Sequence, residues 1–470
     1  MVDPKESSIS RIKILIRESD IAGSIADDRI DSAFDKFSLV LYISKELAST
    51  RSGQLMFVSC VNLIGRFCQN MFFEEHLQRI ALKISLPFGG KDNLLDTCFE
   101  VAKLVHSTPN PRIFTDNTDC TTSLSIGPGG EISISCNGWI VHLNCENTES
   151  LWSPHFNPIG ALAASCLGAV EVFKKLLISI GIHDPRLVDR TMNLSFSTLT
   201  YSVNEIHPLN PSFPEAVSLG KVLFAGCGAV NNGTFYALYQ VKDVCRGSGV
   251  ALDDQKITAS NAERYVLTTH SNVGVHKAEL VELAFANSSF PIKSLPISIE
   301  TLTSEGISEY DIVVSGLDNR NNNAGRLHLQ KLLPKRIIHA ATQMYDVSIA
   351  NLNFLDGACL GCLFSPRQAQ VKLVDDILCG GVVLQLRENE KVAASISFVS
   401  ALSGVLAASE LLKYSHNELR KYSLRNYFSI RTTSPRFAET FFRRKDGNCI
   451  AMCDEPFRQN AFSKKYELVL

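Results

Sequence analysis

The spacing of apolar positions changes several times along the chain, and each change marks an element. Val222 to Ala225 is a short unbroken apolar run, as expected of a strand buried on both faces. It meets the glycine turn Gly226-Cys227-Gly228. An apolar helix follows over Phe235 to Val241, and a second short strand ends on Asp253 and Asp254. From Lys221 to Asp253 the pattern is therefore a β-turn-α-β unit, with Gly226 and Gly228 shaping a phosphate cradle and Asp253 placed for a ribose. Glycine lets backbone approach phosphate closely, and a helix N-terminus adds free N–H groups and a positive dipole. Asn231 stands where the third glycine of the usual motif falls.

The rest of the chain is arranged about this unit. Residues 1 to about 50 read as helices, because SRIKILI and FSLVLYISKELA carry apolar residues at helical spacing. Gln54 to Gly65 reads as a strand, a turn and a helix start. Ser123 to Asn144 alternates in period two about a Gly-rich turn, which predicts a hairpin. A small-residue-rich helix spans Asn157 to Leu177, and a related one spans Ser400 to Tyr414. Laid on each other, these helices match Glu171 with Glu410 and Lys174 with Lys413, which suggests two halves built alike. Between them Ser202 to Ser218, with three prolines, reads as an extended linker. The expected division is residues 1–205, a linker 206–217, and residues 218–470. In the last part, a helix opens near Lys277, a buried strand runs into a loop at Asp318-Asn319, and two further strands follow. Alternating strand and helix predicts an α/β fold with a mostly parallel sheet.

Composition narrows the function classes. The chain has 470 residues, 45% hydrophobic and 20% charged, with net charge −2. So neutral a balance argues against nucleic acid as the main ligand, which calls for a basic face. No apolar run approaches the roughly 20 residues that span a bilayer. The polar N-terminus lacks a signal-peptide core, and the expected compartment is the cytoplasm. Of the fourteen cysteines, most sit singly in apolar runs. The close pairs are Cys359-Cys362 and Cys449-Cys453, whose number and softness suit a closed tetrahedral thiolate site for Zn2+.

The nucleotide turn is followed in order by Asp253, Ser260-Asn261, Arg264, Lys277, the Leu317-Asp318-Asn319 loop and the Cys359-Leu-Gly-Cys362 run. This succession resembles the ubiquitin-activating enzyme superfamily, with its ThiF-type adenylyltransferases, over about residues 218 to 460. The resemblance implies a Rossmann-like ATP-binding adenylation domain preceded by a pseudo-adenylation half that lacks the glycines. It implies ATP and Mg2+ as cofactors, with Asp253 on the ribose hydroxyls, Asn261, Arg264 and Lys277 at the nucleotide, and Asp318 at the magnesium. It also implies a structural Zn2+ on the four cysteines.

The chemistry agrees with those roles. A carboxylate attacking the α-phosphorus is already ionised, so the site must supply cations, metal and alignment rather than a base. Binding of NAD is the rival reading, but it leaves Arg264, Lys277 and Asp318 without a role. The closest likeness is to bacterial ubiquitin-like activating enzymes of antiphage conjugation systems. Their partners would be a ubiquitin-like protein and a conjugating enzyme, with pairing of halves inside the chain or a homodimer. Cys379 falls where such enzymes place the cysteine that takes the activated carboxylate. Adenylation of a sulfur carrier or short peptide is the alternative, and a nucleotide-binding scaffold without turnover a third. Asn231, Gln255 and Tyr265 depart from the family pattern, and no counterpart of the family's arginine-bearing segment is visible ahead of the nucleotide strand.

Overall fold

The structure is a computed structural model and describes residues 12–17, 19–20, 25–115, 118–145, 156–364, 383–385, 391–393 and 396–468. Cys379 lies outside them. Two sheets organise the chain. The first takes strands β1 (Ser38–Ile43), β2 (Asn70–Phe73), β3 (Arg112–Ile113), β4 (Thr122–Ile126), β5 (Ile132–Asn137), β6 (Ile140–Leu143) and β7 (Leu194–Ser197) in the order β3-β2-β1-β4-β5-β6-β7. The second takes β8 (Val217–Ala225), β9 (Cys245–Leu252), β10 (Ile292–Leu295), β11 (Ile312–Ser315), β12 (Ile337–Gln343) and β13 (Asp346–Leu352). After a separate hairpin of β14 (Val383–Gln385) and β15 (Lys391–Ala393), it adds β16 (Tyr427–Arg431) and β17 (Ala438–Phe441). Its order is β10-β9-β8-β11-β12-β13-β16-β17.

The sheets agree over seven strands, and the second adds β17 as an eighth. In each, the first five strands run parallel and the next two return antiparallel. The reversal of strand order lies between β9 and β11, about β8, so the carboxyl ends of these strands open the crevice in which α/β sheets bind ligands.

Helices repeat the correspondence. After α1 (Asp27–Lys36) come α2 (Arg51–Ile64) and α3 (Leu94–Val105), matched by α5 (Ala229–Tyr239) and α6 (Lys277–Phe285). Likewise α4 (Pro158–Ile180) is matched by α8 (Ser397–Ser415). The helix α7 (Arg320–Lys331), between β11 and β12, has no match between β4 and β5. α9 (Pro456–Lys465) lies near the C-terminal end.

Local chemistry accounts for the boundaries. Asn157 caps α4 by accepting from the Ile159 N–H, Pro158 takes the first turn, and Gly181 ends the helix at φ +106°. One continuous core joins the halves: Phe67 and Phe173 pack against Phe398, and Tyr201 stacks on Phe428.

Three sequence expectations are corrected. Ser38–Ile43 is β1, a central strand rather than helix; buried on both faces, it reads as a plain apolar run whose spacing does not discriminate. Gln54 to Gly65 lies on α2, whose residues from Gly53 to Ile64 are all buried, so no polar face reveals the helical period. The Gly-rich turn of Ser123 to Asn144 makes no hairpin. Gly127, Gly129 and Gly130 all take positive φ and carry the chain straight back, so that β5 runs parallel to β4. The hairpin is the next one, β5 to β6, turning at Gly138-Trp139.

Candidate active site

The turn after β8 sits at the crevice. Gly226 has φ +80° and donates its N–H to Leu252 O at 2.9 Å, which ties the turn to the end of β9. Gly228 precedes α5 with no side chain capping that end, so its first amides face outward without a protein cap. Asp253, one residue past β9, accepts from the Cys227 N–H at 2.7 Å and from the Gln255 N–H at 2.9 Å, one on each oxygen. Both bonds fix the carboxylate against the turn, and each oxygen keeps a lone pair for a further donor. Cys227 itself is buried. Burial and the Asp253 charge push its thiol well up, with Lys277 pulling the other way, so it is no nucleophile.

Asn231 explains its own departure from the glycine motif. Its side chain is fully buried, and Nδ2 donates to Gly226 O at 2.7 Å, with longer bonds to Ala225 O and Val314 O. It therefore ties β8 to β11 beneath the turn. Room for it comes from Gly316, where a Cβ would lie 2.9 Å from Asn231 Cγ. The glycine that makes room for this side chain stands one residue past the neighbouring strand β11.

The cations converge from the segment after β9. Lys277, at the start of α6, is buried and donates to Gln255 Oε1 at 2.7 Å; among the described residues it makes no ion pair. Gln255 thus holds the lysine with a neutral amide where an acid is usual. Arg264 and Lys277 both lie 5.5 Å from the Tyr265 ring, and Arg264 Nε is buried without a hydrogen-bond partner. Tyr265 in turn reaches the glycine turn, its hydroxyl 3.7 Å from where a Gly228 Cβ would stand. Asn261 is buried and accepts from the Thr258 N–H at 3.1 Å, closing a capping box that starts the segment. Asp318 follows β11 as an exposed carboxylate, one residue beyond Leu317, whose side chain approaches Gly226. Gly226, Gly228, Asp253, Arg264, Lys277 and Asp318 are thus gathered at the carboxyl ends of β8, β9 and β11, while the Asn261 oxygen is turned to its own backbone.

Two arginines escaped the sequence reading. Arg326 on α7 is buried, donates to Leu317 O at 2.9 Å and to Asn323 Oδ1 at 2.6 Å, and lies 4.1 Å over the Phe364 ring. Burial brings its guanidinium down to about 10, against the pull of Asp318. Its place nine residues behind the Leu317 carbonyl was the available signal. Arg66, from the first half, enters the segment carrying Arg264; its partner carbonyls lie some two hundred residues away, and no local pattern announces it.

The four cysteines meet as expected. Cys359, Cys362, Cys449 and Cys453 are buried with every Sγ within 4.8 Å of the others. The closest approaches are 3.3 Å for Cys362–Cys453, 3.5 Å for Cys359–Cys449 and 3.8 Å for Cys359–Cys362. Thiolate–zinc bonds of about 2.3 Å put tetrahedral sulfurs about 3.8 Å apart, so the cluster fits one ion. The Asp446 N–H donates to Cys362 Sγ at 3.3 Å, a bond that favours thiolate. Gly361 is required there, since a Cβ would stand 2.8 Å from that of Ala451.

Against known proteins, the ThiF family profile matches residues 207–451, more than half the chain. The chain belongs to the ThiF family. A second profile, the BilD N-terminal domain, matches residues 38–196 of this ThiF-family chain. It is similar to the uncharacterized protein y4jF of Sinorhizobium fredii, at 24% identity with 82% of this chain and 83% of that protein covered. Among solved structures it is similar to E. coli MccB with ATP, at 16% identity and TM-score 0.38, over 50% of this chain and 66% of that one. The microcin C7 biosynthetic enzyme MccB with N-formylated MccA gives 17% identity and TM-score 0.35, over 50% and 67%. Such scores mark a loose likeness, and the chain spans just under two thirds of the length of the E. coli MccB chain it matches. No described helix is long and apolar enough to cross a membrane.

Proposed function

We propose that this ThiF-family chain is an ATP-dependent adenylyltransferase acting on the C-terminal glycine of a ubiquitin-like protein. The observation that carries the reading is the Lys277–Arg264 pair. A buried ammonium held by a neutral amide and a guanidinium with an unpartnered buried Nε flank the open N-terminus of α5. Such a site has positive character to offer an anion, and the chemistry proposed for it calls for no proton transfer. Asp253, already held by two backbone amides, is suited to accept from ribose hydroxyls. Asp318 supplies a hard oxygen for Mg2+, which when bound would offset negative charge on the departing pyrophosphate. The substrate carboxylate attacks the α-phosphorus, the bond to the bridging oxygen breaks, and pyrophosphate leaves. Arg264 and Lys277 hold the phosphates in line through the exchange.

In the second step the Cys379 thiolate attacks the mixed anhydride; a thioester forms and AMP leaves, carrying the electron pair. A conjugating enzyme would then take the acyl group. The ThiF match supports adenylation of a peptide or protein C-terminus, and the ubiquitin-like substrate is the finer reading that the sequence resemblance implies. Zn2+ on the four cysteines has a structural part in this reading, since four thiolates leave no open position. The domain reading, with residues 1–205 an inactive adenylation-like half, 206–217 a linker and 218–470 the active half, belongs to the same proposal.

Labelled pyrophosphate–ATP exchange, run with candidate carriers, tests the first step, and a non-reducing gel tests the second. Exchange is expected to depend on a carrier with a free C-terminal glycine. Cys379→Ala should keep exchange and lose the reductant-sensitive adduct. Exchange supported by a short peptide or sulfur carrier alone would replace the ubiquitin-like substrate. Tight NADH binding without exchange would remove the adenylation reading altogether.

A further inference from the structure

The segment that bears Arg264 is held from the other half of the molecule. Arg66 follows α2 and is buried, with all three guanidinium nitrogens engaged. Nη1 donates to Ala262 O and Nη2 to Thr268 O at 3.1 Å, while Nε and Nη2 donate to Asn62 Oδ1 at 3.2 and 2.6 Å. Asn62 is thereby oriented to donate through Nδ2 to Val266 O at 2.9 Å. Two residues of the first half therefore satisfy three carbonyls on either side of Arg264 and Tyr265. From the second half, Asn232 on α5 accepts from the Leu267 N–H at 2.6 Å.

The mirror contact exists as well. At the end of α5, Tyr239 Oη bonds Ser85 Oγ at 3.1 Å and Leu86 O at 3.2 Å, and Gln240 Nε2 donates to Ser85 O at 3.3 Å. Each half therefore grips the loop after its partner's second strand. Only one of those loops carries cations beside a glycine turn.

We propose that Arg66, with Asn62, is a positioning residue for nucleotide binding: the first half sets the geometry of Arg264 and Tyr265 in the second without touching the nucleotide. The proposal rests on the adenylation reading. A guanidinium already directed at three protein acceptors in a buried site has no face left for phosphate, so its influence passes through the segment it holds. Burial brings its guanidinium down to about 9, with Glu263 opposing the shift, so the charge and its bonds persist at neutral pH. Lysine at this position would keep the charge and lose the planar fork that spans Ala262 O, Thr268 O and Asn62.

ATP affinity by calorimetry, amide hydrogen exchange over residues 261–268 and melting temperature, measured on the full chain, form the test. Arg66→Lys is expected to weaken ATP binding roughly tenfold and to speed exchange over 261–268, as for loss of a charged hydrogen bond. Tyr239→Phe, which breaks the mirror contact, should lower the melting temperature while ATP affinity stays within about twofold. Arg66→Ala should exceed Arg66→Lys in both readouts; if it fails to fold, Arg66→Lys alone decides. A fall in melting temperature with unchanged ATP affinity in Arg66→Lys would reduce Arg66 to a staple between halves and overturn the proposal. If the unaltered chain binds no ATP, the adenylation reading fails instead, a result separate from the behaviour of the variants.

Discussion

The two halves share a strand order and differ where chemistry would occur. At the end of β8 stands Gly226-Cys227-Gly228; at the end of β1 the chain reads Ser44-Lys45-Glu46 and turns into a short helix. At the end of β9 Asp253 accepts from the Cys227 N–H. At the end of β2 the corresponding acid is Glu74, which accepts from the Ile43 N–H at 3.4 Å. The acid that braces the first turn has therefore been kept in both halves, while the open amides of the turn exist in one. Between the fourth and fifth strands the difference is largest. The second half has Asp318, Arg326 and all of α7; the first has a five-residue return built on Gly127, Gly129 and Gly130. Parallel neighbours usually take a crossover of a dozen or more residues, and here three glycines at positive φ return the chain without the helix while the parallel pairing is kept. What is lost is the set of groups that the helix and its loop carried.

Asp318→Ala against Glu74→Ala breaks that comparison most sharply. Removing the carboxylate after β11 should lower pyrophosphate exchange by about 10²–10³, the scale of losing a charge clamp. Removing Glu74, the first-half counterpart of Asp253, should leave exchange unchanged. Equal losses would mean that the first half takes part directly in the chemistry.

Metal removal comes next. One Zn2+ per chain is expected by elemental analysis, and chelation should destabilise the second half by several kcal/mol because site and fold form together. A metal-free preparation of unchanged stability would refute this.

Buried ion pairs sharpen the comparison from another side. Lys174 bonds Glu171 at 2.5 Å and Asp189 O at 2.8 Å inside the first half. Lys413 pairs with Glu410 in the matching place on α8 but donates to Leu199 O at 2.8 Å, and Glu410 accepts from Tyr201 at 2.8 Å. Leu199 and Tyr201 belong to the preceding half, while Asn351 Nδ2 at 3.1 Å and the Leu424 N–H at 3.0 Å donate to Glu410 from its own half. Burial draws both lysines down, opposed by their glutamates. Glu410→Gln and Glu171→Gln should each cost about 3–5 kcal/mol in urea unfolding, the usual result of stranding a buried charge. Glu410→Gln should also separate the unfolding of the halves, whereas Glu171→Gln should weaken the first alone.

The smallest effect is one of pH. Burial holds His142 on β6 down at about 4, against 6.5 when unfolded. Between those values the unfolded chain binds a proton that the folded chain does not, so stability rises with pH through that window and falls on acidification. The loss should be about 2–3 kcal/mol from pH 7 to 4. His142→Leu should flatten this limb of the curve; an unchanged slope would assign it to other groups, His339 first among them.

Much of the site was legible because its demands are local. A φ of +80° needs Gly226, and an acid one residue past a strand needs no distant partner to be recognised. The Glu171–Glu410 match was legible for a related reason, since each glutamate meets a lysine one turn away on its own helix. Residues whose spacing carried no contrast were misread: β1 and α2 are buried on every side, and periodicity needs a polar face to be seen. Arg66 and Arg326 were missed because what makes them notable is burial against carbonyls chosen by the fold.

The exchange of Asn231 for glycine, with Gly316 opposite, has a consequence for anyone who would restore the family motif. Asn231→Gly alone would take from the Gly226 carbonyl its 2.7 Å donor and leave a hole the size of an amide beneath the turn. Gly316→Ala alone would collide with the side chain already there. A change at either position alone is therefore uphill, because each residue is shaped to the other. The pair behaves as a key cut together with its lock, which cannot be replaced one piece at a time.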